Sequence, residues 1–79
     1  MAHYTKRIRD LREDRDIKQE HIAKLLGVKQ TYYSRYELGK VEMPIRHLIT
    51  LCKLYDVSAD YILGFTDECK PLPKPYKKK

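Results

Sequence analysis

Seventy-nine residues form one small domain with a modest core, and 17 Lys and Arg against 11 Asp and Glu leave a net charge of +6. No stretch approaches the roughly 18 apolar residues of a membrane span. The charged opening residues 1–9 have no signal-peptide core, so a soluble, cytoplasmic protein without membrane contact is expected. Residues 1–66 carry 12 basic and 9 acidic side chains and residues 67–79 carry 5 and 2, so each part is +3. The domain itself is therefore only mildly basic. An anionic partner is favoured, but through the placement of individual charges more than through bulk charge. Cys52 falls on an apolar helix stripe and Cys69 in a polar tail, which reads as two free thiols.

The apolar spacing predicts an all-α chain of five helices. The first covers about residues 3–15, with Tyr4, Ile8 and Leu11 on one face. Asp14, Arg15 and Asp16 then break the pattern, and Ile17 fills the gap before the next element. The second helix, Gln19–Leu26, turns Ile22, Ala23 and Leu26 inward and stops at Gly27, with Val28 folding back to the core. The third, Gln30–Leu38, buries Tyr33, Tyr36 and Glu37 and stops at Gly39. The fourth is expected to begin at Pro44 and to bury Leu48, Leu51, Cys52 and Tyr55. The fifth is short, capped by Ser58, with Tyr61 and Ile62 packed inward and Gly64 closing it. Beyond it, alternating prolines and lysines over residues 70–79 predict an extended, flexible basic tail, so the chain divides into a domain at 1–66 and a tail at 67–79.

Two short helices separated by a Gly27-Val28 turn, with Gln30, Thr31, Tyr32 and Arg35 exposed on the second, make a helix-turn-helix pattern. Such a pattern sets its second helix into a DNA major groove. The spacing of Tyr33, Tyr36, Tyr55 and Tyr61 is core spacing, which argues against a single-strand stacking platform. Arg7, Arg9 and Arg15 read as solvated charges. His3, His21 and His47 with Cys52 and Cys69 show no metal-ligand spacing. His47 and Cys52, five apart, are expected on different helix faces. No nucleophilic or acid–base constellation and no phosphate-binding glycine loop is visible, so neither an enzyme nor a cofactor is expected.

The series Gln19-x-x-Ile22-Ala23-x-x-Leu26-Gly27-Val28, Ser34-x-x-Glu37-x-Gly39-Lys40, Pro44 and Val57-Ser58-x-Asp60-x-Ile62-Leu63-Gly64 resembles the Cro/phage-repressor (Xre-type) helix-turn-helix family over about residues 5–66. The resemblance implies a compact five-helix, lambda-repressor-like domain that often works as a homodimer on a palindromic operator. It implies that Gln19 touches a phosphate and braces Gln30, that Gln30, Thr31 and Arg35 read base edges with Tyr32 beside them, and that Arg12 pairs with Glu37. Where the family usually places Ser, Thr or Asp before the second and third helices, this chain has Lys18 and Lys29. A missing cap costs about 0.5–2 kcal/mol, and a bound phosphate would supply the absent anion.

Chemistry assigns the contacts further. Gln30 suits adenine N6 and N7, and Arg35 suits guanine O6 and N7. Thr31 suits a thymine methyl or a phosphate, and Tyr32 a sugar or phosphate, or else the Lys29 side chain. Lys29 and Lys40 join Gln19 as phosphate binders, with Lys18 and Arg46 as further candidates. The expected function is sequence-specific binding of double-stranded DNA by a transcriptional regulator, a repressor acting by occlusion. Alternatives are an antitoxin that binds both DNA and a toxin, and a protein-interaction module. Leu54, Ile62, Leu63, Phe65 and Leu72 are candidate dimer or partner surface. The tail is read as a solvated extension, a DNA clamp through Lys74, Lys77, Lys78 and Lys79, or a holder of a protein partner.

Overall fold

A computed structural model describes residues 3–71, and among them five helices and no strand. The helices are α1 (His3–Asp14), α2 (Gln19–Leu26), α3 (Gln30–Leu38), α4 (Ile45–Tyr55) and α5 (Ala59–Leu63). α2 packs across α3, α1 lies against both α3 and α5, and α4 meets α5. The common core takes Ile8 and Leu11 from α1, Ile22, Ala23 and Leu26 from α2, Tyr33 and Tyr36 from α3, and Leu51, Cys52 and Tyr55 from α4. Val57 and Ile62 close it.

The turn between α2 and α3 is dictated by backbone geometry. Gly27 sits in the left-handed region at φ 76°, with no atom near enough to contact an added Cβ. Conformation, not crowding, therefore requires glycine there. Its N–H reaches Lys24 O at 3.2 Å and the Val28 N–H reaches Ala23 O at 3.0 Å, which satisfies the last carbonyls of α2 and turns Val28 toward the core. Asp16 and Asp56 take the same left-handed region, both at φ 55°, in the linkers after α1 and α4.

Several sequence expectations are corrected. Pro44 is not the first helical residue: its ψ of 153° is extended, and its carbonyl accepts from His47 and Leu48, so α4 starts at Ile45. α1 ends at Asp14, one residue early. Leu48 is only partly buried, while His47 is in the core, because the inward face of α4 runs through positions 47, 51 and 55 at spacing four. Cys52 is buried there as expected, and His47, expected on a different face, is buried with it. Ile62 is fully buried and cannot be part of a docking surface, whereas Leu54, Leu63 and Phe65 are exposed. Leu72, Lys74, Lys77, Lys78 and Lys79 lie outside the described residues.

Arg7 is not a solvated charge, and Arg15, though exposed, is also tied to the fold. The Arg7 guanidinium donates to Tyr61 O at 2.9 Å, Thr66 O at 3.2 Å and Asp67 Oδ1 at 2.6 Å, and stacks 4.1 Å over the Tyr61 ring. It thereby ties the segment after α5 back onto α1. Arg15 donates to Leu11 O at 3.0 Å and lies 5.0 Å over the Tyr55 ring. In both cases a planar guanidinium finds carbonyls and an aromatic face together, which a lysine ammonium would match poorly.

Candidate nucleic-acid interface

Helix-turn-helix geometry presents α3 with one face in the core and one face open. Tyr33 and Tyr36 hold the inner face; Gln30, Thr31, Tyr32 and Arg35 lie outside the core. Thr31, Tyr32 and Arg35 share an open notch of about 330 Å³ with Val28 and Lys29. Tyr32 packs edge-on against Tyr36, ring centres 5.4 Å apart, and with Lys29 forms part of the notch wall. Lys18 and Lys29 occupy the N-cap positions of α2 and α3 in extended conformation, and neither side chain caps its helix. Lys40 follows α3, Arg46 lies in the first turn of α4, and both are exposed.

A continuous hydrogen-bonded chain runs from the core to this surface. Arg12 Nε donates to Glu37 Oε2 at 2.7 Å and Arg12 Nη2 to Glu37 Oε1 at 3.0 Å, a two-point ion pair. Arg12 Nη1 also donates to Ile17 O at 2.8 Å, which locks the α1–α2 linker. Gln19 Nε2 donates to Glu37 Oε1 at 2.9 Å, and Gln30 Nε2 donates to Gln19 Oε1 at 3.0 Å. The structure thus joins Arg12, Glu37, Gln19 and Gln30 in one chain, and Lys29, Thr31, Tyr32 and Arg35 around one notch. Lys18, Lys40 and Arg46 belong to neither group.

The Glu37 side chain is only 2% exposed. Burial alone would push its carboxyl up; hydrogen bonding from Arg12 foremost, then from Tyr33 and Gln19, outweighs burial and holds it below the ordinary range. The Tyr33 hydroxyl is buried near that carboxylate without a partner of full hydrogen-bond geometry, and burial first, then Glu37, keeps the phenol protonated. Further along the inner face of α3, the Tyr36 hydroxyl meets His47 Nδ1 at 3.1 Å. Burial, then the neighbouring Arg46 charge, lowers the His47 pKa, while the Leu26 carbonyl works in the other direction. Sequence patterning does not reveal this α3–α4 support; the available signal is His47 standing four before Leu51 on the buried stripe.

Among the described residues no group of three His, Cys, Asp or Glu side chains is placed to hold a metal ion, and no helix is long and apolar enough to cross a membrane.

Comparison with known proteins agrees with this architecture. A helix-turn-helix family model matches residues 8–62. The HTH-type transcriptional regulator YobD of Bacillus subtilis (strain 168), itself uncharacterized, is 40% identical over 75 residues, covering 95% of this chain and 65% of the relative. The cryptic phage CTXphi transcriptional repressor RstR of Vibrio cholerae is 37% identical over 54 residues, covering 68% of this chain and 49% of the relative. The chain spans from about half to just under two thirds of the length of these relatives. With the match running from α1 to α5 and through the Gly27 turn, the chain belongs to the Cro/C1-type helix-turn-helix family.

Proposed function

We propose that this chain is a sequence-specific regulator of transcription that binds double-stranded DNA and represses by occluding its operator. α3 enters the major groove. Gln30, Thr31, Tyr32 and Arg35 meet base edges, with Gln30 toward adenine and Arg35 toward guanine. Gln19, Lys29 and Lys40 hold phosphates, with Lys18 and Arg46 adding to the grip from the α2 and α4 ends. Arg12 and Glu37 are structural, anchoring Gln19 and through it Gln30.

The observation that carries this reading is the exposed Gln30 held by Gln19, which is itself held by a buried ion pair. A solvated surface glutamine has no use for such bracing; a side chain that must meet a base edge in one geometry does. The membership of the chain in a family with HTH-type regulators and a phage repressor among its relatives supports the same conclusion. Two copies act together on a palindrome. Half-sites one helical turn apart are about 34 Å centre to centre, and a body of 35 × 28 × 23 Å fills that spacing.

Selection of sites from a random duplex library with purified protein tests this directly. Enrichment of a palindrome supports the dimeric regulator. Enrichment of a lone half-site supports a monomeric reader, and absence of any enrichment removes the base-reading roles of Gln30 and Arg35.

A further inference from the structure

An ionised carboxylate accepts hydrogen bonds and donates none, so the chain that starts at Glu37 has a direction. Glu37 Oε1 takes Nη2 of Arg12 and Nε2 of Gln19. Gln19 therefore presents its amide nitrogen to the core and its oxygen away from it. That oxygen can only accept, so Gln30 must offer Nε2, as it does at 3.0 Å. One N–H of Gln30 is thus committed inward. What remains for a partner is its oxygen and its second N–H. That pair complements the N6 donor and N7 acceptor of adenine, and it mismatches guanine, whose major-groove edge offers two acceptors. Reversing the chain would leave both N–H groups of Gln30 free, the pattern that suits guanine.

We propose that Glu37, although buried and away from the DNA, sets the base preference at the position read by Gln30, acting through Gln19 as a positioning residue that favours adenine over guanine. The inference rests on the reading that Gln30 meets a base edge. It goes beyond bracing: bracing fixes where the amide is, whereas the carboxylate fixes which end of the amide faces out. Arg12 has a second part in this. It keeps Glu37 ionised, and so keeps the direction single.

The test compares affinities for operators carrying adenine or guanine at one position, chosen as the one whose preference disappears in Gln30→Ala. For the unaltered chain adenine should be favoured by roughly 5- to 150-fold, the range of one bidentate contact. The neutral amide that Glu37→Gln introduces can donate or accept, so the adenine-to-guanine ratio should fall toward unity there while preferences at the other positions persist. Gln19→Met cuts the relay and leaves the Arg12–Glu37 pair intact. It should lose the same preference, and it decides the matter if Glu37→Gln fails to fold. A ratio that survives in Gln19→Met, or a Glu37→Gln protein with affinity lowered equally for every operator, overturns the polarity relay and leaves DNA reading by α3 standing. An unaltered chain with no sequence preference, or one in which Gln30→Ala changes nothing, overturns both.

Discussion

The hydroxyl of Tyr36 and Nδ1 of His47 meet at 3.1 Å inside the core, and this contact couples α3 to α4. His47 is buried and its pKa lies below the ordinary value, through burial first and the Arg46 charge second. The folded state therefore prefers the neutral ring, and the unfolded chain takes up a proton more readily. His47 thus contributes stability that is complete above the ordinary histidine pKa of about 6.5 and is lost as pH falls from there through the lowered folded value. Thermal unfolding followed from about pH 7.5 to pH 5 should show a falling midpoint, and His47→Gln should flatten that slope. An unchanged slope in the variant would remove His47 from the account.

Arg12 and Glu37 should behave as a unit. Arg12→Met leaves a carboxylate buried without its main partner and is expected to destabilise by about 3–5 kcal/mol, a large share of a small domain's total. Urea denaturation at neutral pH measures it. The folded Glu37 pKa is depressed, so its stabilising contribution is present above the ordinary carboxylate pKa and lost as pH falls through the folded value. The difference between the two proteins should therefore shrink on acidification. A constant difference would mean that lost packing, and not charge, is responsible.

Lys29→Ser installs the missing cap on α3. The variant should gain about 0.5–2 kcal/mol of stability and lose DNA affinity. Its plot of log affinity against log salt should be shallower by about one unit, the mark of one phosphate contact removed. A variant that is more stable with an unaltered salt slope would assign Lys29 to solvent.

Arg35→Ala tests base reading at the exposed end of the notch. Its side chain is outside the core, so the unfolding midpoint should hold. Discrimination at one guanine position should fall by about 1–3 kcal/mol. A uniform loss over all sequences would instead make Arg35 a phosphate binder.

How far these elements can be read from sequence follows from the range of the forces involved. The bounds of α2 and α3 are legible because their apolar spacing and the terminating Gly27 and Gly39 are local signals. The inward Glu37 is legible because it continues the register of Tyr33 and Tyr36. Arg7 reads wrongly because what holds it is remote: its acceptors at Tyr61 and Thr66 are 54 and 59 positions away, and no helical period encodes that. His47 escapes for a related reason. An imidazole counts as polar in any pattern, and partners from other helices, the Tyr36 hydroxyl and the Leu26 carbonyl, make its burial acceptable. Ile62 reads both as inward-packed and as docking surface because α5, at five residues, is too short for its two faces to be told apart by periodicity.

The Arg7 contacts also decide where the domain must be cut. α5 is too brief to persist without packing, and its carbonyl at Tyr61, with Thr66 O and Asp67 beyond it, is gripped from the opposite end of the chain. A shortened protein ending at Gly64 would keep every helix yet strand a partly buried guanidinium with one acceptor of three. Deletion of the first turns of α1 would release the same latch from the other side. Trimming either terminus should therefore loosen the other, and protease nicking between Phe65 and Lys70 in an Arg7→Met protein would report the release.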